Sequence, residues 1–201
     1  MTVDPIGGVW TYALELARAL EVHGVEIALA SMGTHLTSEQ YQEVLARKNV
    51  RLFESAFRLE WMPDPWDDVD RAGDWLLKIA ERFQPDLVHL NGYSHASLGW
   101  DAPVLIGAHS CVLSWWRAVK NEEAPARYNE YRTRVAAGLA AADLVVAPSV
   151  AMRDALALQY DGHCNCIVIR NGRDPRCFVV NEKVSLVFSC GRIWDEAKNL
   201  R

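Results

Sequence analysis

The chain has 201 residues, half of them hydrophobic and 23% charged, a globular balance with apolar material for one full core or two small ones. Its 21 basic and 26 acidic side chains leave a formal net charge of -5, opposite in sign to the broad field of a nucleic-acid binder, so no nucleic-acid partner is expected. Apolar runs such as 87–90 and 104–106 fall far short of the roughly 20 residues of a membrane-spanning helix, and residues 1–20 lack the pattern of a signal peptide, which makes the cytoplasm the expected location.

From Gly7 the stretch GGVWTYALELARALEVHG repeats apolar Val9, Ala13, Leu16, Ala17 and Leu20 at helical spacing, with Gly24 where a C-terminal cap belongs. The mostly apolar run 25–30 follows and reads as a strand covered on both faces. A capped helix from Thr37 or Ser38 to Ala46 leads to a strand at 50–53, and a helix over about 67–83 leads to a strand at 86–90. After a strand at 104–108 come a long helix over roughly 124–142, a strand at 143–147, a helix at 150–158 and a strand at 166–169. This alternation predicts an α/β fold: one Rossmann-like, doubly wound parallel sheet with helices on both faces.

Two stretches break the rhythm. Residues 54–66, with Arg58, Glu60, Trp61, two prolines and Trp66, read as an aromatic loop over one edge. Residues 171–183, with an Asn-Gly pair, a proline and several charges, read as an interdomain linker before a further apolar strand at 184–190. The strand expected before the first helix is short or missing, and one strand after the linker is no domain, so both ends of the chain read as cut.

Five cysteines, at 111, 164, 166, 177 and 190, form no disulfide framework. The cluster His163-Cys164-Asn165-Cys166 lacks the second ligand pair of a tetrahedral zinc site, so no metal is expected there, and Cys164 and Cys166 read as small apolar residues at the start of a strand.

Ligands of open α/β sheets bind beyond the carboxyl ends of the strands. Gly7 and Gly8 stand at a helix N-terminus, whose free N–H groups and positive dipole end can receive a phosphate, although neither a dinucleotide fingerprint nor a P-loop is present. Asn91, Gly92, Tyr93 and His95 follow one strand, and His109 and Ser110 another. His109 either satisfies a strand-end carbonyl or serves a ligand. Ser110 is no nucleophile activated by His109, because adjacent residues on an extended chain point to opposite faces and no nucleophile elbow surrounds them. Arg192 and Lys198, at the start of a helix, suit a diphosphate or form a solvated pair. The aromatic residues of 58–66 and Trp115-Trp116 fit an acceptor surface or simple edge packing.

In this order, GGVWTYALELARAL…HG, PDLVHLNGY, VLIGAHS, AADLVVAPS, IRNGRD and SCGRIWDEAKN resemble the retaining nucleotide-sugar glycosyltransferases of the GT-B fold, group 1, family four. The resemblance covers essentially the whole chain and implies two Rossmann-like domains facing each other, with residues 1–178 as the N-terminal, acceptor-side domain and 179–201 as the linker and start of the nucleotide-sugar domain. It further implies that Gly7, Gly8, Arg192 and Lys198 bind the donor diphosphate and that His109 contacts the donor sugar. Asp4, Asn91, Tyr93, Ser149 and Asn171 would belong to the acceptor and sugar cleft. The implied reaction moves a sugar from a nucleotide-sugar donor to a hydroxyl of a saccharide, lipid-linked or small-molecule acceptor, with retention, and needs neither metal nor cofactor. Peripheral membrane contact is compatible with a lipid-linked acceptor. The paired glutamates that hold the donor in this family lie beyond Arg201, so the 201-residue chain alone is expected to be inactive. Alternative readings are a non-catalytic sugar- or phosphate-binding module and a GT-B-like nucleotide-sugar epimerase.

Overall fold

The computed structural model describes residues 1–160, 165–179, 182–189, 191 and 195–198. A two-residue strand, β1 (Thr2–Val3), leads into helix α1 (Gly8–Glu21). α1 buries Trp10, Ala13, Leu14 and Ala17, so Ala13 and Ala17 of the expected stripe lie in the core, Val9 and Leu20 pack partly buried against it, and Trp10 and Leu14 widen the buried face. The Trp10 indole Nε1–H donates to Glu43 Oε2 at 2.6 Å, so the large ring is buried with its one donor satisfied. Gly24 closes the reversal after α1 at φ 70°, a conformation that disfavours any side chain.

Strand β2 (Ile27–Ser31) is buried at every position and pairs in parallel with β1 and with β3 (Val50–Glu54). Between them α2 (Ser38–Leu45) opens on a capping box: Thr37 Oγ1 accepts from Gln40 N–H and Gln40 Oε1 accepts from Thr37 N–H. Helix α3 (Trp66–Phe83) then crosses to β4 (Val88–Leu90), which is followed by a 3-10 turn at Ser94–Ser97 and β5 (Val104–Gly107). A short α4 (Val112–Trp115) runs into a π-helical turn, Trp116–Lys120. The helix expected over 124–142 divides into a 3-10 turn, Ala126–Tyr128, and α5 (Asn129–Ala141). β6 (Leu144–Ala147), α6 (Val150–Gln159) and β7 (Cys166–Val168) follow.

Where one continuous sheet is expected from the sequence, two parallel ladders form, in the orders β1-β2-β3 and β4-β5-β6-β7. The break has a local cause. β1 offers only Thr2 and Val3, and their register goes to Ala30 and Ser31 of β2. Toward β4 the junction is made largely by a side chain: Asn91 donates its backbone N–H to Thr2 Oγ1 at 2.9 Å and its Nδ2–H to the Thr2 carbonyl at 2.7 Å. The ladders therefore meet at β1 and β4, every pairing within each is parallel, and the α/β, Rossmann-like class holds. Apolar cores lie on both faces, α1 and α2 packing against one side of β1 and β2 and α3 against the other, with α5 and α6 serving the β4 to β7 ladder.

Of the strand expected at 184–190, residues 184–189 form none, and Cys190 lies outside the described residues. Val184, Leu186, Val187 and Phe188 are exposed, Val187 at 99%. A strand is held by its ladder, and among the described residues no second segment lies alongside to complete one. Among the described residues no helix is long and apolar enough to cross a membrane.

Candidate functional site at the carboxyl ends of β1, β4 and β5

A cleft of about 630 Å³ opens where β1, β4 and β5 end. On its first side Asp4 Oδ1 accepts the N–H of Ile6 at 2.8 Å, and this tight turn delivers the chain to Gly7. Gly7 sits at φ 96° and ψ -150°, a conformation that only glycine adopts readily, and α1 starts at the next residue. Neither a capping side chain nor an acidic residue serves the first turn of α1, so its N–H groups are left to solvent or a ligand. A Cβ on Gly7 or Gly8 would meet nothing within 4 Å.

The second side is built from side chains. His109, two residues past β5, shares a 2.9 Å hydrogen bond through Nε2 with Asn91 Oδ1, and its ring meets Tyr12 of α1 edge-on at 4.5 Å between centroids. Burial pushes the His109 pKa down to about 4, so the ring is neutral near pH 7. His89 of β4 lies behind it, likewise pushed down to about 4, chiefly by burial, with the Asn91 amide opposing the shift. Tyr12 Oη stands 3.4 Å from His89 Nε2. Gly107 makes the room for this group, since a Cβ there would lie 2.6 Å from Asn91 Oδ1 and 3.1 Å from His109 Nε2.

The aromatic loop reaches this side through Glu60, whose carboxylate accepts from the N–H groups of Tyr93 at 3.0 Å and Ser94 at 2.8 Å, capping the 3-10 turn after β4. Trp61, Trp115, Trp116 and Tyr128 complete the rim. The Trp115 and Trp116 rings meet edge to face at 5.9 Å, and the Arg127 guanidinium lies over both Trp116 and Tyr128.

Of the residues singled out from the sequence, Asp4, Gly7, Gly8, Asn91, Tyr93, His109 and Asn171 all line the cleft. Tyr93 does so as packing: the residue is only 3% exposed and its hydroxyl donates to the Ser110 carbonyl at 2.9 Å, a buried phenol satisfying its one donor within the fold. Ser149 does not line it; its hydroxyl accepts the N–H of Met152 as the N-cap of α6, and Pro148 borders the cleft instead. Lys198 lies exposed in a 3-10 turn, Glu196–Lys198, and is not among the lining residues. Arg192, Cys164 and Cys190 lie outside the described residues. Cys166 opens β7, and among the described residues no three His, Cys, Asp or Glu side chains gather as metal ligands.

Tyr12, Glu60 and His89 were not singled out. Tyr12 carried a usable signal, standing one helical turn past Gly8 on the helix that starts at the cleft. Glu60 carried none, because the N–H groups it caps are 33 and 34 residues away.

A family model described as Glycosyltransferase Family 4 matches residues 6–176, most of the chain. The chain belongs to glycosyltransferase family 4. Among solved structures, this family 4 chain is similar to one described as LpCGTa in complex with UDP, at 15% identity and a TM-score of 0.51, over 84% of this chain and 52% of the other. The family 4 chain thus spans about half the length of that protein, and the likeness is one of fold: the Rossmann-like architecture of the GT-B type. No curated protein matches it.

Proposed function

We propose that the protein transfers a sugar from a nucleotide-sugar donor to an acceptor hydroxyl with retention of configuration. The observation that carries this reading is the convergence, in one cleft, of an uncapped helix N-terminus at Gly7 and Gly8 with a neutral histidine hydrogen-bonded to an asparagine. The first is suited to phosphate oxygens and the second to sugar hydroxyls. Family membership supports the same chemistry.

In this reading the α1 N-terminus faces the donor phosphates and His109 binds a hydroxyl of the donor sugar. Arg192 and Lys198, carried over by resemblance, neutralise the leaving diphosphate. The protein's work is orientation and charge stabilisation, not attack by a side chain, and neither a metal nor a further cofactor has a place in the scheme. Asp4, Asn91 and Asn171 border the acceptor and sugar space. The aromatic rim of Trp61, Trp115 and Trp116 supplies flat faces for a saccharide or a lipid-linked acceptor, which is compatible with peripheral membrane contact. Residues 1–178 form the acceptor-side domain, residues 179–201 lead into a nucleotide-sugar domain, and the location is cytoplasmic.

The test is to incubate the protein carrying this chain with a panel of nucleotide sugars and with saccharide and lipid-linked acceptors, reading nucleoside diphosphate release and the anomeric configuration of the product by NMR. Transfer with retention supports the reading and an inverted product overturns its stereochemistry. Tight nucleotide-sugar binding without transfer would favour a binding module instead. The 201-residue chain on its own is proposed to give no turnover.

A further inference from the structure

The Asn91 amide has its orientation imposed by Thr2 of β1. The Thr2 carbonyl can only accept, and it lies 2.7 Å from Asn91 Nδ2, which can only donate. The Asn91 N–H holds the same residue a second time, through Thr2 Oγ1 at 2.9 Å. With Nδ2 committed, Oδ1 is the atom left facing His109 Nε2 at 2.9 Å. Oδ1 can only accept, so Nε2 must carry the ring proton. We propose that Asn91 is a positioning residue that locks His109 in its Nε2–H tautomer and thereby presents a bare Nδ1 as the hydrogen-bond acceptor of the cleft.

This rests on the glycosyltransferase reading for its purpose, though not for its geometry. It reverses the polarity that a strand-end histidine would be given by default, in which the ring donates to a sugar hydroxyl while its other nitrogen accepts from the protein. A neutral imidazole has one N–H; here that N–H is spent on Asn91, and His109 Nδ1 has no protein hydrogen-bond partner among the described residues. A lone pair at that point accepts from a hydroxyl and repels a phosphate oxygen. The cleft thus divides its substrate, with the diphosphate assigned to the α1 N-terminus and a hydroxyl to His109. The edge contact with Tyr12 and the missing Cβ at Gly107 hold the ring against Asn91. Low proton affinity keeps it neutral at working pH, with His89 and Tyr12 as the other titratable groups around it.

Long-range 1H–15N correlation spectra of the 15N-histidine-labelled protein read the tautomer directly, without substrate. The expected result is an unprotonated Nδ1 and a protonated Nε2 for His109 in the wild type, drifting toward a tautomer mixture in Asn91→Ala and staying Nε2–H in Asn91→Asp, which keeps an acceptor oxygen. Wild-type His109 protonated on Nδ1, or an unchanged tautomer in Asn91→Ala, would overturn the proposal, and the wild-type spectrum decides even if a variant fails to fold. In turnover, Asn91→Ala is expected to lower kcat about tenfold, as loss of a partner that orients a functional imidazole does elsewhere. The double variant with His109→Ala is expected to be no slower than His109→Ala alone, because Asn91 acts through the ring. Additive losses count against the proposal. Absence of all transfer by the protein carrying this chain, with the stated tautomer in place, would overturn the glycosyltransferase reading and leave the positioning role standing.

Discussion

On the α1 side of the cleft recognition is left to the backbone, with Gly7 and Gly8 presenting N–H groups and no side chain intruding. On the β4 and β5 side it is left to side chains, with Asn91, His109, Tyr12 and Glu60 each tied to a named partner. The backbone wall needs no rotamer to be chosen, and its geometry is written into the φ of Gly7 and a helix start. The side-chain wall offers acceptors as well as donors, which N–H groups alone cannot, but it depends on everything packed behind it. The two walls should therefore fail differently, one through local strain or intrusion and the other through loss of support.

The largest effect is expected far behind the side-chain wall. α5 runs so close to the turn after β4 that a Cβ on Gly138 would collide with the Tyr93 carbonyl oxygen, a backbone atom that no rotamer change can move aside. Gly138→Ala should cost about 3 kcal/mol by forced overpacking, lowering Tm by roughly 10 °C in a chain of this length, and calorimetry checks it. His109→Ala should leave Tm nearly unchanged while lowering kcat ~10²-fold, the scale of one lost polar contact in a transition state. Kinetics at saturating donor together with thermal melts separate these outcomes, and equal turnover in both proteins would return His109 to a structural role.

The next effect is set by pH. His89 and His109 are both held near pKa 4 in the fold, below the ordinary histidine value of 6.5. Between these values the unfolded chain binds more protons than the folded one, so stability should fall as pH drops from about 6.5 toward 4 and should be insensitive to these two groups above 6.5. Denaturant melts across that window read the slope, and a double His89→Gln, His109→Gln variant should reduce it to the share of the buried Met1 amino group, whose pKa burial lowers to about 5. Asp174, which the Arg176 and Arg18 guanidiniums hold well below the usual carboxylate range, adds its own loss at still lower pH, outside the window.

The backbone wall was the more legible of the two in the sequence. A glycine pair followed by a 3.6-residue apolar repeat has few readings other than an open helix start, and α1 begins within a residue of its expected place. The strands were legible for the same reason, as short apolar runs between periodic helices. What escaped was whatever depends on contacts between distant segments. The break in the sheet follows from a two-residue β1 and an asparagine 89 residues away. The capping role of Glu60 depends on a loop folding over the end of β4. The run at 184–189 has the composition of a strand, but composition does not supply the neighbour that a ladder needs. His109 could be placed at a strand end, whereas the atom that meets its Nε2 is decided by the Thr2 carbonyl, two hydrogen bonds away.

The smallest effects distinguish the two glycines of the backbone wall from each other. Gly7 has open space around its missing Cβ but a φ of 96°, so Gly7→Ala should cost about 1–2 kcal/mol in backbone strain alone. Gly8 is equally open, is not among the residues with positive φ, and is already the first residue of α1. Gly8→Ala should therefore change stability by less than about 0.5 kcal/mol, in the stabilising direction, because alanine has less freedom to lose in the unfolded chain. Its cost should be seen only with a donor bound: the new methyl group occupies the approach to the first-turn N–H groups, so the donor KM should rise while Tm holds. A rise in KM for Gly8→Ala without loss of stability, set beside a fall in Tm for Gly7→Ala, would show that one glycine is present for a ligand and the other for the turn. Equal KM values in wild type and Gly8→Ala would mean that the phosphates do not approach this wall closely, and that the donor is anchored elsewhere.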